Sequence, residues 1–415
     1  GFINRQLVET RQGTKAVAQI LKNALPNTEI VYVKAGNVSS FRQQRDMVKT
    51  RSVNDFHHAK DAYLNIVVGN TYYVKFTKNP INFIKNFKRN PQGNAYHMNR
   101  IFDFTVKRGD ETAWIATDEK TKVGTITTVK NMLKKNTPLI TRMNFEVHGR
   151  IAEATIYGAE KAKTVGYIPI KAKDKRMQDV KKYGGFSSVT ASYFFLVEHK
   201  KGKKRIRTLE AMPLYLKDIL SDEKKAIENY CVKELGLVDP DVRMSRIKIQ
   251  SLIKRNGYYL YISGKTNNDI IVRNAVSLCL KPVCMRYIKK IENTNENAYL
   301  NKDITHEKNL ELYSILKEKH LSTIYAKRPN PVGEKLISRE EKFSKLSLMD
   351  QCYVLGQILN LTQLHNLGAN LLLLEEAKKT GVMKINKTIT NSDEFILVNQ
   401  SVTGLYENEI DLLTV

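Results

Sequence analysis

The sequence predicts a multidomain protein that mixes helices with strands, of the α+β or α/β class. Three observations predict it: a length of 415 residues, helical periodicity over the first 70 residues, and strand patterns separated by turns from about residue 145 onward. A chain of this length can bury two or three separate cores. No apolar run approaches the roughly 20 residues that a membrane helix needs, so we expect no membrane partner.

The amino-terminal part predicts two helices. In residues 5–21, apolar side chains recur at helical spacing, and residues 55–68 form the second helix. A short strand is predicted at residues 30–33. Residues 72–100 interleave aromatic residues with lysines, a pattern that suits either a groove for a nucleic-acid backbone or buried rings among solvated lysines.

From about residue 145 the pattern changes to β-hairpins. Strands at 189–198 and 204–209 flank a turn at 200–203. Strands at 247–253 and 258–263 flank Asn256-Gly257, a dipeptide that favours the type I′ turn. A further turn is predicted at Asn267-Asn268. Helices are predicted at 222–235, 305–320 and 345–380, and two strands around residues 391–393 close the chain.

The charge of the chain favours nucleic acid as a partner. Lys and Arg number 68 against 42 acidic residues, for a net charge of +26. The excess is confined to residues 1–290, which carry +29, while residues 291–415 carry −3. Such a field attracts polyphosphate and releases its counterions. A solubilising surface would explain part of it. An anionic membrane is not favoured, because the sequence has no lipidation motif and no isolated basic amphipathic helix.

The cysteines indicate a reducing compartment. Cys279 and Cys284 have four residues between them, but no second pair lies nearby to complete a zinc site, and the remaining two cysteines are scattered. We interpret all four as reduced thiols, which fits a cytoplasmic location. The chain starts at Gly1 without a signal peptide, so we expect either a processed end or a cut inside a longer chain.

Residues 54–65 carry the residue types that phosphodiester hydrolysis requires. On a helix, Asp61 lies one turn beyond His57 and His58, so that an imidazole and a carboxylate can address one point. A carboxylate can hold Mg²⁺, and a neutral histidine can take a proton from the attacking water. A surface ion pair or a helix cap would produce the same spacing, and this alternative stays open.

Four stretches resemble the type II CRISPR-associated RNA-guided DNA endonucleases. They are GFINRQLVETRQ at 1–12, HHAKDAYLN at 57–65, QSVTGLYE at 400–407 and, more weakly, YGGFSS at 183–188. They occur in the order of that family with about its spacing. The resemblance implies a carboxy-terminal fragment: an incomplete RuvC-like nuclease portion of the RNase H type, followed by a β-rich domain with helices that recognises the PAM, the short motif beside the target.

The resemblance assigns residues 1–144 to the third RuvC-like segment. It makes His58 the general base and Asp61 a ligand of Mg²⁺, while Lys60 stands where some relatives have another histidine. The other metal-binding carboxylates of the family come from two earlier segments. Because hydrolysis with two metal ions needs several carboxylates, we expect this chain alone not to cut DNA and to need the missing amino-terminal segments as a partner.

The resemblance divides the PAM-interacting domain into a topoisomerase-like part, residues 145–249, and a carboxy-terminal part, residues 250–415. In the family the guide RNA supplies sequence specificity, and the protein recognises the PAM in double-stranded DNA. Positions that match contacts to the PAM duplex or its phosphates are Glu153, Ala154, Thr155, Ser187, Ser188, Gly264 and Lys265.

PAM recognition is expected on a hairpin around residues 382–390. The candidates there are Lys384, Asn386 and Lys387, and no arginine follows Arg339. Asparagine suits the edge of adenine, and lysine can reach guanine. We therefore expect a PAM that contains adenine, not two adjacent guanines bound by two arginines.

Two other functions stay open at this point. A non-catalytic basic nucleic-acid-binding module would explain the charge and the hairpins equally well. A complete small nuclease would take its further carboxylates from Glu9, Asp103, Asp118 and Glu119, although none of these lies in a recognisable metal pattern. The resemblance also implies a bacterial cytoplasm and allows a protein inhibitor as a further partner.

Overall fold

The computed structural model describes residues 2–71, 102, 104–135, 138–149, 168–169, 179–186, 190–217, 224–266, 268–321, 332–362, 368–390 and 394–415. The chain forms two compact units. Unit 1 comprises residues 1–51 and 55–138, and unit 2 comprises residues 52–54 and 139–415.

Unit 1 is mainly helical in its described part. Its elements are α1 (Phe2–Ala24), α2 (Ala35–Gln44), α3 (His57–Thr71), β1 (Val106–Arg108), β2 (Glu111–Trp114) and α4 (Thr125–Lys135). Both predicted helices are confirmed. The strand predicted at residues 30–33 was wrong, because only an isolated bridge at Tyr32 forms there. The basic and aromatic stretch 72–100 lies outside the described residues.

The core of unit 1 holds α3 in place. The rings of Phe41, Phe102 and Trp114 pack edge to face in sequence, with centroids 4.5 and 4.8 Å apart. Leu64 and Val68 bury the inner side of α3 against this cluster. Gly69 lets α3 approach the side chain of Val33 closely, because a Cβ at position 69 would lie 2.8 Å from Cγ2 of Val33. The start of α3 is therefore anchored by packing further along the same helix.

Unit 2 contains the remaining strands and two antiparallel sheets of four and six strands. The strands are β3 (Ile168–Pro169), β4 (Gly185–Phe186), β5 (Ala191–Lys201), β6 (Lys204–Pro213), β7 (Val238–Ile247), β8 (Leu252–Arg255), β9 (Tyr258–Lys265), β10 (Asp269–Asn274), β11 (Met383–Asn386), β12 (Thr388–Ile389), β13 (Phe395–Gln400) and β14 (Glu407–Asp411). The four-stranded sheet has the order β12-β6-β5-β7, and the six-stranded sheet β11-β10-β9-β8-β13-β14.

The predicted hairpins β5–β6 and β8–β9 are confirmed. Asn256 and Gly257 have φ angles of 49° and 81°, as a type I′ turn requires. Strands β9 and β10 also pair, although Asn267 in their turn lies outside the described residues. Strands β13 and β14 form the last hairpin, and residues 391–393, where the closing strands were expected to turn, also lie outside the described residues.

The four-stranded sheet is buried on both faces. Phe194 and Leu196 point into the larger core, which they share with the six-stranded sheet and its helices. Phe195 and Val197 point to the other side, where Ile227 of a covering helix meets them. This alternation follows from the two-residue period of a strand.

The helices of unit 2 are α5 (Val180–Tyr183), α6 (Lys224–Lys233), α7 (Pro282–Asn297), α8 (His306–Leu321), α9 (Val332–Ser338), α10 (Glu340–Ser344) and α11 (Leu348–Thr362). The helix predicted over 345–380 was wrong over residues 368–380, while residues 363–367 lie outside the described residues. At Gly368 a Cβ would lie 2.9 Å from the carbonyl oxygen of Thr380, and Ala369 bridges Thr380 there. Tertiary packing thus overrides helix propensity. No helix among the described residues has the length and apolar character to cross a bilayer.

Candidate functional site

The start of α3 brings three potential metal donors together. Asp55 lies two residues before the first residue of the helix, and its backbone carbonyl accepts a hydrogen bond from the amide of His58 (3.0 Å). The rings of His57 and His58 lie 4.2 Å apart. One ligand atom from each of Asp55, His57 and His58 falls within 4.8 Å of the others. His58 is exposed, so its imidazole is accessible to a phosphate.

Asp61 lies on the same helix in a different environment. Its Oδ1 is 3.3 Å from Nε of Arg42, and its Oδ2 is 2.5 Å from Nζ of Lys49. Both carboxylate oxygens thus face cations in this chain. Asp55, rather than Asp61, lies beside the histidine pair. The sequence analysis did not single out Asp55, although its position just before the first turn of a helix could have indicated it.

The donors at α3 do not by themselves fit Mg²⁺. This ion prefers oxygen ligands in octahedral geometry, whereas Asp55, His57 and His58 offer one carboxylate and two imidazoles, a set more typical of zinc. The further carboxylate, Asp61, is engaged by two cations. Within the described residues, the elements of a magnesium site are therefore incomplete.

The segment expected to recognise the PAM is not a hairpin. Strand β11 pairs with β10 of the six-stranded sheet, while β12 pairs with β6 of the four-stranded sheet. Asn386 causes the change of direction, since its Oδ1 accepts a hydrogen bond from the amide of Thr388 (2.8 Å) in a tight turn. The chain therefore crosses from one sheet to the other at residues 386–388, and this segment is called the crossing below.

The three candidate side chains at the crossing differ in environment. Lys384 and Asn386 are exposed. Lys387 is half-buried, and its Nζ lies 2.9 and 3.0 Å from the two carboxylate oxygens of Glu210, whose side chain is only 8% exposed. Lys387 is thus held in one position, whereas Lys384 and Asn386 face solvent.

A pocket of about 240 Å³ lies beside the crossing. Its lining includes Glu210, Lys387 and, from the end of β9, Lys265. Desolvation lowers the pKa of Lys265, the charge of Lys387 lowers it further, and Glu210 opposes both. The structure therefore brings Lys265 together with Lys387. Gly264 precedes it in β9, where a Cβ would meet only Ile271, at 3.8 Å. Glu153, Ala154, Thr155, Ser187 and Ser188 lie outside the described residues.

Two protein families match this chain. The model of the Cas9 RuvC domain matches residues 11–139. The model of the PAM-interacting domain of CRISPR-associated endonuclease Cas9 matches residues 148–408. Both models describe domains of CRISPR-associated proteins. The two domains follow one another along the chain in the order that the sequence motifs predicted.

Two curated proteins are similar over large parts of this chain. The CRISPR-associated endonuclease Cas9 of Streptococcus mutans serotype c is 27% identical over 99% of this chain and 32% of its own length. That of Listeria innocua serovar 6a is 32% identical over 55% of this chain and 18% of its own length. The chain belongs to the Cas9 family, which confirms the resemblance. It spans about a third or less of the length of these relatives.

Proposed function

We propose that this chain is the carboxy-terminal part of a guide-RNA-directed DNA endonuclease. Residues 1–144 would supply the third segment of the RuvC-like domain, and residues 145–249 and 250–415 would form the two parts of the PAM-interacting domain. The order of the two family matches carries the proposal, and the excess of 68 basic over 42 acidic residues supports it. Its partners would be a guide RNA, double-stranded DNA with a PAM, and the missing amino-terminal segments.

In the nuclease part, His58 would act as general base. Its exposure at the start of α3 supports this role. Asp61 would become a ligand of Mg²⁺ in the complete enzyme, where carboxylates of other segments would join it. Since the donors grouped at the start of α3 do not fit Mg²⁺ alone, we expect the isolated chain to bind DNA without cutting it.

In the PAM-interacting part, the exposed Lys384 and Asn386 would contact base edges. The side chain of Asn386 bonds Thr388 through one lone pair of Oδ1, which leaves the other lone pair and both amide hydrogens available. Asparagine pairs in this way with N6 and N7 of adenine, and lysine reaches O6 and N7 of guanine. The proposed PAM therefore contains adenine and lacks a strict pair of guanines.

Selection from a duplex library with randomised PAM positions, using the chain bound to guide RNA, tests this proposal. We expect adenine to be enriched at one position, and Asn386→Ala to relax that preference by about 1–3 kcal/mol. Lys378→Ala, which removes an exposed lysine upstream of the crossing, is the matched control and should leave the preference unchanged. Enrichment of two adjacent guanines would refute the proposed mode of recognition.

The second candidate, a non-catalytic basic module, is supported by the net charge of +26 and by the hairpins. It predicts binding to plain DNA without any PAM preference, with affinity that collapses between about 50 and 200 mM salt. The same library, selected at both salt concentrations, separates the two functions.

A further inference from the structure

One face of the six-stranded sheet carries aromatic and arginine side chains outside the main core. Arg273 of β10 lies directly opposite Tyr261 of β9, and Tyr261 lies opposite Leu252 of β8. Tyr261, Leu252 and Val398 are buried in a small separate cluster, against which Ile140 packs. Residues 139–142 therefore cover part of this face.

Arg142 extends from this covering segment over the ring of Tyr261. Its guanidinium carbon lies 6.0 Å from the ring centroid, at the limit of a cation–π contact. The segment is tied down next to it, since Oγ1 of Thr141 donates to the carbonyl of Val402 (2.8 Å). Gly404, at φ 70°, permits this approach, because a Cβ there would lie 2.9 Å from Cγ2 of Thr141. The position of Arg142 is thus fixed by packing.

Arg273 is a half-buried cation whose surroundings are unfavourable to its charge. Its pKa is lowered, first by burial and then by the charge of Arg142. Its Nε is buried and has no hydrogen-bond partner within the described ranges. A desolvated charge beside a like charge is costly unless an anion compensates it.

Other arginines of unit 2 differ from Arg273 in this respect. Arg207 binds Glu198 at 3.0 Å, and Arg246 binds Glu146 at 2.8 Å. Within the described residues, Arg273 has no such carboxylate. An anion that bridges the two guanidinium groups would satisfy the buried donor and remove the repulsion.

We propose that Arg142 and Arg273, with Tyr261 as the platform for Arg142, bind a phosphodiester group of a nucleic-acid backbone. A guanidinium donates two parallel hydrogen bonds that match two oxygens of a phosphate. The site uses side chains other than those proposed for PAM recognition, and it rests on the proposed nucleic-acid-binding function. A phosphodiester from guide RNA and one from DNA offer the same chemistry, so the test separates them.

The experiment measures how the affinity of the whole chain for guide RNA and for a PAM-containing DNA duplex depends on salt. Each phosphate contact contributes about 0.9 for duplex DNA, or about 0.7 for a single strand, to the slope of log affinity against log salt, which is roughly a two-and-a-half- to fourfold change between 50 and 200 mM. We expect Arg273→Gln and Arg142→Gln each to reduce this slope by about one for RNA or for DNA. The nucleic acid that responds identifies the source of the phosphate.

Two further variants separate binding from structure. Arg273→Lys keeps the charge and should keep the slope, while its affinity falls severalfold because the fork is lost. Arg243→Gln is the control: this arginine has carboxylate partners, with Glu198 at 3.4 Å and Asp241 at 3.2 Å. Its loss should lower the melting temperature and leave the slope unchanged. Arg273→Gln should instead reduce the slope and leave the melting temperature unchanged or raised, since it removes the repulsion between Arg273 and Arg142.

The inference is overturned if Arg273→Gln leaves the salt slope unchanged for both RNA and DNA. It is also overturned if the substitution changes the binding of inorganic phosphate but not that of either nucleic acid. If these variants change nothing while Asn386→Ala still relaxes PAM preference, only this inference fails. If the unsubstituted chain binds neither nucleic acid, the proposed function fails with it.

Discussion

The two candidate sites differ in how much of their own machinery this chain supplies. At the start of α3, the grouped donors are one carboxylate and two imidazoles, and Asp61 is engaged by Arg42 and Lys49. At the crossing, both supporting sheets are formed within the chain, and Glu210 fixes Lys387 from the neighbouring sheet. Under the proposed function, a magnesium-dependent site at α3 would take further ligands from other segments, whereas the binding surface at the crossing would rest on sheets of this chain alone. We therefore expect binding and cleavage to separate in this chain.

The largest expected effect is on cleavage. The purified chain with Mg²⁺ should not cut DNA, and addition of the missing segments and guide RNA should restore cutting. In the restored enzyme, His58→Ala should lower the rate by about 10²–10⁴-fold, because a positioned general base contributes about that much. Lys60→Ala, two residues further along α3, is the control and should cut at nearly the original rate. Single-turnover cleavage measures both.

Metal-dependent cutting by the chain alone would contradict the expected separation of binding from cleavage. It would mean that carboxylates within these residues complete the site, and substitution of Glu9, Asp103, Asp118 and Glu119 in turn would then locate them.

The second effect concerns the stability of unit 2. His320, in α8, is fully buried, and burial lowers its pKa to about 4, against a weaker opposing hydrogen bond with the backbone of Ile358. A histidine in the unfolded chain titrates near 6.5. Because the folded pKa is lower, the neutral form is preferred in the folded state. The contribution of this histidine to the free energy of unfolding is therefore complete above about pH 6.5. As the pH falls toward 4, the free energy of unfolding falls by about 3 kcal/mol.

A single tryptophan makes this prediction specific to one unit. Trp114, the one tryptophan of the chain, lies in the core of unit 1. Between pH 6.5 and 4, the urea midpoint of the transition seen by circular dichroism should fall. The urea midpoint of the transition seen by Trp114 fluorescence should not fall with it. His320→Gln should remove the part of the pH dependence that arises in this window, and the exposed His148→Gln should retain it. Coincident transitions for both probes at every pH would contradict independent units.

The parts of the fold that follow from local sequence could be predicted. Asn256-Gly257 determines its own turn, α1 follows from apolar periodicity, and α3 and α8 lie close to where the sequence predicted helices. The course of residues 382–390 could not, because it depends on pairing between β12 and β6, strands about 180 residues apart. For the same reason the predicted helix was wrong over residues 368–380, where contact with Thr380 determines the backbone at Gly368.

The site shows the same division. His58 and Asp61 stand in one short run and could be singled out from the sequence. Their partners could not: Arg42 and Lys49 contact Asp61 through tertiary folding, and Glu210 meets Lys387 across 177 residues. A motif indicates the residue type that chemistry requires, but the charge that surrounds it comes from chain segments that only the fold brings together.

The smallest effect tests how Glu210 acts on the crossing. Its carboxylate neutralises Lys387 and opposes the desolvation of Lys265, so Glu210→Gln should leave two cations beside the pocket without a carboxylate at this position. We expect affinity for plain DNA to rise by about 1 kcal/mol, roughly fivefold, and PAM preference to fall, because a mobile Lys387 binds phosphate without regard to sequence.

Asp303→Asn, which removes an exposed pair with Lys290 (2.6 Å), should raise plain-DNA affinity less and leave preference intact. Competition binding with duplexes that differ only in the PAM measures both quantities, and a variant that keeps full preference would show that Lys387 does not need Glu210 to be positioned.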